Sequence, residues 1–146
     1  FVVYDGENIT PFLKNKEIDQ YSSILGENAA VRTILKNFQH DLAKKYNLVA
    51  EGRDMGTAVF PGADYKFFLT ASLDERAKRW QQMQEKKGNT YSFEQAKKIV
   101  EDRDKRDMER KIDPLKIPDN AIIIDNCKMS PNQTLQKFKE QIKCLK

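Results

Sequence analysis

Leu48-Val49-Ala50-Glu51-Gly52-Arg53-Asp54-Met55-Gly56 sets a short apolar run directly ahead of an Arg-Asp pair flanked by glycines. The run, taken as residues 48–51, reads as a strand, and the pair as the loop leaving its carboxyl end. In open α/β sheets that is where ligands bind. A second cluster, Arg103-Asp104-Lys105-Arg106-Asp107-Met108-Glu109-Arg110, reads as helix. At helical spacing Arg103, Arg106, Asp107 and Arg110 stand at i, i+3, i+4 and i+7, so three guanidiniums and one carboxylate share a face. Such a face suits a phosphate and a sugar, and the two clusters together point to a nucleotide.

Working outward, the strands alternate with helices. Residues 65–70 (Tyr-Lys-Phe-Phe-Leu-Thr) and 121–125 (Ala-Ile-Ile-Ile-Asp) read, like 48–51, as buried sheet strands. The opening residues 1–4 read as a strand entering an Asp5-Gly6 turn, after which Asn8-Ile9-Thr10-Pro11 resumes an extended path. From about residue 23 to 45, Val31, Ile34, Leu35, Phe38 and Leu42 recur at helical period. Ser72 with Glu75 and Ser92 with Gln95 are expected capping boxes. The first opens a helix with Leu73, Ala77, Trp80 and Met83 on one face, Trp80 being packing rather than a stacking platform, and Gly88 is its stop. The second opens a helix whose stripe of Phe93, Ala96, Ile99 and Val100 runs on into Arg103, Asp107 and Arg110, with Pro114 ending it. Ser130-Pro131-Asn132-Gln133 opens a closing helix with Leu135, Phe138, Ile142 and Leu145 as its stripe. Strands separated by helices argue for an α/β layer with a largely parallel sheet. The polar stretch 86–90, with its glycine, joins the two middle helices as the hinge of a lid does.

The 146 residues suffice for one domain with a sizeable core. Apolar residues make up 39% and charged residues 33%, and the mean hydropathy is −0.75. No run approaches the roughly 20 apolar residues of a membrane span, and residues 1–4 are too short for a signal-peptide core, so a cytoplasmic location is expected. The net charge of +4 and pI near 9.0 favour anionic partners. Acids and bases are interspersed, however, which suits a small anion and disfavours a nucleic-acid arm. Cys127 and Cys144 are the only cysteines and His40 the only histidine. Neither a zinc site nor a disulfide framework follows, and no metal ligands are assigned.

The run from Ala50 to Pro61, the helix start Ala71-Ser72-Leu73-Asp74-Glu75-Arg76-Ala77 and the Arg-Asp-x-Arg-Asp-x-x-Arg helix together resemble bacterial cytidylate kinase, in the same order over nearly the whole chain. The resemblance implies an α/β fold of the P-loop nucleoside-monophosphate-kinase type, its parallel sheet flanked by helices and topped by a helical lid. On that plan residues 1–22 belong to the nucleoside-monophosphate-binding domain, 23–71 to a core helix and strands with the acceptor loop, 72–112 to the lid helices, and 113–146 to a core strand and the last helix. It implies transfer of the ATP γ-phosphoryl group, with Mg2+, to CMP or dCMP in a monomeric enzyme. Ser23, Arg32 and Asp54 are then expected around cytosine, Arg53 and Arg110 on the acceptor phosphate, Arg103 and Asp107 at the ribose, and Arg106 toward the donor phosphates. The chemistry is apt: a carboxylate accepts from the exocyclic amine of cytosine, and arginine forks match phosphate oxygens.

One departure from the family is large. The glycines stand at 6, 26, 52, 56, 62 and 88, and no Gly-x-x-x-x-Gly-Lys-Ser/Thr occurs. The chain is therefore expected to be the carboxyl-terminal part of a kinase, inactive by itself, and to associate through strand edges that the remainder would cover. Taken alone, the Arg-Asp helix face could be a solvated ladder of i, i+4 pairs, Asp102 with Arg106 or Arg103 with Asp107, and the loop at 52–56 a structural turn. Two other classes compete with the enzyme. One is a regulatory module that keeps the CMP site without catalysis. The other is a basic nucleic-acid-binding protein, disfavoured because the aromatics mostly fall on apolar stripes.

Overall fold

The computed structural model describes residues 2–13, 18, 21–22 and 25–144, with side chains to residue 142. The chain divides into two compact units, Phe1–Val49 and Ala50–Lys146.

In the first unit β1 (Val3–Tyr4) pairs antiparallel with β2 (Glu7–Asn8), Val3 opposite Asn8 and Tyr4 opposite Glu7. The turn between them holds Asp5 at φ 50 and Gly6 at φ 80. A two-residue hairpin of the right twist needs positive φ at both positions, and Asp-Gly meets that need at little cost. The chain does not then run extended. Thr10–Phe12 closes a 3₁₀ turn, because Asn8 Oδ1 accepts the Thr10 N–H at 3.1 Å and Pro11 has its φ preset for a turn. Helix α1 (Ala29–Ala43) starts later than its apolar period suggested. Asn28, extended at φ −86 and ψ 114, accepts from the N–H groups of Ala30 and Val31 at 3.0 and 3.2 Å, and so caps the helix there. Ile34, Leu35 and Phe38 are exposed, so the expected apolar stripe forms a face rather than a core.

Residues 48–51 form no strand, contrary to expectation. A strand exists only through a neighbour that takes its N–H and C=O groups, and no described strand pairs with this run; Val49 is 105% exposed. In the second unit the chain instead coils from Asp54 into a turn over Met55–Val59 of π type, with Phe60 N donating to Met55 O at 2.6 Å and Ala58 N to Asp54 O at 2.9 Å. Gly56 sits where this turn meets Pro118. A Cβ on Gly56 would lie 2.7 Å from the proline Cγ and 3.1 Å from its Cβ, inside contact distance.

β3 (Phe67–Thr70) and β4 (Ile122–Asp125) pair parallel, from Phe67 opposite Ile122 to Thr70 opposite Asp125. Between them run α2 (Leu73–Glu85) and α3 (Phe93–Glu109), the helical crossover that parallel strands require. α4 (Pro131–Cys144) follows β4 and covers one sheet face, where the Phe67 and Phe138 rings meet edge to face at 4.8 Å. Buried Ile124 marks that core, whereas Leu69 and Ile123 are exposed. The two strands are thus half-buried, not buried on both faces.

α2 and α3 pack closely because Ala77 and Ala96, both fully buried, let their backbones approach. At their junction Trp80 lies 4.9 Å from Tyr91 edge to face, in a packing role. Gly88, at φ 82, makes the turn out of α2. Asp74 pairs with Lys97 at 2.8 Å and Arg76 with Asp104, tying the two helices together. The Ser92–Gln95 capping box forms in full, and Ser130 and Gln133 make the same reciprocal bonds at α4. The expected Ser72–Glu75 box forms only by half. Ser72 Oγ accepts from Glu75 N, but the Ser72 N–H goes to Cys127 Sγ at 2.9 Å and the Glu75 carboxylate to Arg79. Ile99 and Leu135, expected on buried stripes, are exposed; Leu145 lies outside the described residues.

Candidate functional site

The site gathers where the loop beginning at Arg53 meets the carboxyl end of α3. Loop residues 53 and 54 differ by one position and helix residues 107 and 110 by one turn, so two consecutive loop side chains can meet two stacked helix side chains. They do so in opposite sense. Arg53 Nε donates to Asp107 Oδ2 at 2.7 Å, while Asp54 Oδ1 lies 3.5 Å from Arg110 Nη2. The first pair is partly open to solvent. The second is nearly closed, with side-chain exposures of 8% for Asp54 and 12% for Arg110. Arg103 Nε reaches to 4.0 Å of the same Asp107 oxygen from one turn back and stays exposed.

α3 stops at Arg110, whose own backbone is extended at φ −59 and ψ 143 while its N–H still bonds Arg106 O. The chain then folds back. Leu115 N donates to Asp107 O at 2.8 Å, and the Asp113 carbonyl accepts from Arg110 Nε at 2.7 Å and also from Arg110 Nη2. Arg110 is therefore gripped from two sides, by a carboxylate on the loop and a neutral carbonyl downstream of the helix.

Three arginines and two aspartates give this cluster one net positive charge. Its guanidiniums are held by partners that an oxyanion can supplement, and a carboxylate stands beside them as a hydrogen-bond acceptor. That combination can bind a phosphate ester and read an amino group. Arg106 stands apart on an exposed side of α3, its Nε directed at the Asp102 carbonyl at 3.3 Å. Asp102 takes Lys98 as its ion-pair partner instead. Arg32 belongs to the first unit, where its Nη1 donates to Gly26 O at 3.1 Å, and Ser23 lies outside the described residues. Among the described residues no group of three or more His, Cys, Asp or Glu side chains could hold a metal ion, and no helix is long and apolar enough to cross a membrane.

Two hydrogen-bonded features of the second unit, the first at the site and the second apart from it, were not legible in the sequence. One is Asp113, whose contribution is a backbone oxygen; Pro114 marks the helix end without revealing where the preceding carbonyl points. The other is the junction at the carboxyl end of β4. Arg79 grips Asn126 through Oδ1 and the backbone carbonyl, both at 2.8 Å, and Cys127, a free thiol, bonds Asp125. The Cys127 thiol and its backbone N–H hold the Asp125 carboxyl below its ordinary value.

The cytidylate kinase family model matches residues 1–144. A cytidylate kinase of Caldanaerobacter subterraneus subsp. tengcongensis is 37% identical over 142 residues, covering 97% of this chain and 63% of that protein. Those of Caldicellulosiruptor bescii and Caldicellulosiruptor saccharolyticus are each 37% identical over 139 residues, covering 95% of this chain and 62% of theirs. The chain thus spans a little under two thirds of the length of these curated relatives.

Proposed function

Since this chain belongs to the cytidylate kinase family, we propose that it supplies the acceptor side of a (d)CMP kinase with the P-loop nucleoside-monophosphate-kinase fold. The reaction transfers the γ-phosphoryl group of MgATP to CMP or dCMP, giving CDP or dCDP and ADP. The observation that carries the proposal is the crossed pairing of Arg53-Asp54 with Asp107 and Arg110. It collects on one loop and one helix turn the groups an anionic aminopyrimidine nucleotide needs.

In this scheme Arg53 and Arg110 bind the acceptor phosphate end-on and offset charge as transfer proceeds. Asp54 accepts from the cytosine amine, which uracil replaces with a carbonyl, while Arg32 donates to the base's acceptors and Ser23 is assigned beside them. Arg103 and Asp107 hold the ribose, and Arg106 is assigned to the donor phosphates. MgATP enters as the second substrate. The 146 residues contain no Gly-x-x-x-x-Gly-Lys-Ser/Thr loop to cradle its phosphates, so the groups assigned here act mainly on the acceptor, and the chain alone is expected to give no CDP. The complete enzyme is expected to be a cytoplasmic monomer that engages no nucleic acid, and this chain to associate through its exposed strand edges.

A backbone amide NMR titration with CMP and with UMP tests the proposal. Selective movement of Arg53, Asp54 and Arg110 with CMP is the expected result. Equal responses to CMP and UMP would remove Asp54 from the base-reading role, and no response to either would remove the acceptor site from this chain.

A further inference from the structure

Resting on the assignment of Arg110 to the acceptor phosphate, we propose that Asp113 is a positioning residue for that arginine and acts through its backbone carbonyl. Three observations converge. Asp113 is one of only three described non-glycine residues with positive φ, at 47. Its carbonyl accepts from both Arg110 Nε and Arg110 Nη2. The guanidinium so held is nearly closed from solvent.

Nε and Nη2 form one side edge of the guanidinium fork. A single carbonyl oxygen placed there satisfies both N–H groups without adding a negative charge to the one that Asp54 already brings. A second carboxylate in that place would bind the edge as well but, together with Asp54, would outweigh the charge that a phosphate needs. The backbone has to turn back to present that carbonyl, and the left-handed conformation does this. Aspartate, asparagine and glycine enter this region readily and β-branched residues do not. The residue type at 113 is thus constrained by backbone conformation, and the carbonyl is the group that holds Arg110.

The test compares the 146-residue chain with its Asp113→Gly, Asp113→Asn, Asp113→Ala, Asp113→Val and Arg110→Ala variants. Each is titrated with CMP and with cytidine, and the Arg110 Nε–H exchange rate is followed by NMR without ligand. Asp113→Gly and Asp113→Asn are expected to keep both CMP affinity and slow Nε–H exchange. Asp113→Val is expected to speed exchange and weaken CMP about five- to thirtyfold, the population cost of the left-handed region, with cytidine unchanged. Asp113→Ala carries the same loss in milder form and serves if the valine variant does not fold.

Equal loss in Asp113→Asn and Asp113→Val would assign the role to the carboxylate and overturn the inference. So would unchanged exchange and affinity in Asp113→Val. If Arg110→Ala leaves the preference for CMP over cytidine intact, or if the parent chain shows no such preference, the phosphate assignment fails first. Loss in Arg110→Ala with none in Asp113→Val overturns the positioning role alone.

Discussion

Replacing Gly56 by alanine separates two opposed effects whose sum the structure determines. Gly56 has no positive φ, so alanine fits its backbone. On backbone grounds alone the substitution would stabilise by about 0.4–1 kcal/mol through the unfolded chain. The added methyl, however, would lie 2.7 Å from Pro118 Cγ and 3.1 Å from Pro118 Cβ. A proline ring cannot swing aside as a long side chain does, so the 55–59 turn and the segment before β4 must separate. Overpacking of this kind costs roughly 1–3 kcal/mol. The net expectation is a destabilisation of about 1–2 kcal/mol, and for a unit near 100 residues each kcal/mol lowers the melting midpoint by roughly 4–8 °C. Urea unfolding followed by circular dichroism should show a lower midpoint at unchanged slope, since the exposed surface is unaltered. Pro118→Ala should recover part of the loss in the double variant, because it removes the closer of the two clashing atoms. A Gly56→Ala midpoint equal to or above that of the parent, or strict additivity with Pro118→Ala, would refute the steric account. Because Asp54 begins this turn, the same variant should also weaken CMP binding.

Three further perturbations address the site and the helices. Asp107→Asn removes the Arg53 partner from a pair that is partly open to solvent. Its stability cost should stay below about 1 kcal/mol while CMP affinity falls about tenfold, as calorimetric titration beside a thermal melt would reveal. Asp54→Ala leaves Arg110 nearly buried without its carboxylate. A loss of about 3 kcal/mol, the lower end for broken buried pairs, should accompany a collapse of the CMP-over-UMP preference; retained preference would count against a base-reading Asp54. Asp74 is held below the ordinary aspartate value, first by the hydrogen bond from Lys97 and then by the lysine's charge. A depressed carboxyl stabilises above its unfolded pKa and loses that contribution as pH falls through the folded value. Unfolding midpoints should therefore drop below about pH 3.8, and Asp74→Asn should flatten that limb by lowering its neutral end while leaving its acid end unchanged.

Local rules carried much of the organisation. Asp5-Gly6, the Ser92–Gln95 box and the Ser130-Pro131-Gln133 start are legible because each is closed by hydrogen bonds within three residues, and such bonds depend only on neighbouring residue types. The helices between β3 and β4 follow likewise from their apolar period and caps. The Arg53-Asp54 and Asp107-Arg110 clusters were also recognisable as a candidate site, since one-turn spacing on a helix is a sequence property. What the tertiary structure alone decided is the partnership. Arg53 and Asp107 are 54 positions apart, and nothing local states that Arg53 takes Asp107 while Asp54 takes Arg110. Residues 48–51 failed as a strand for the same reason, because a ladder needs a neighbour that the run itself cannot specify. Ser72 lost half its capping box to the sulfur of Cys127, which is 55 positions away. Propensity is written residue by residue, whereas the destination of a hydrogen-bonding group depends on which distant atom the completed fold brings within reach.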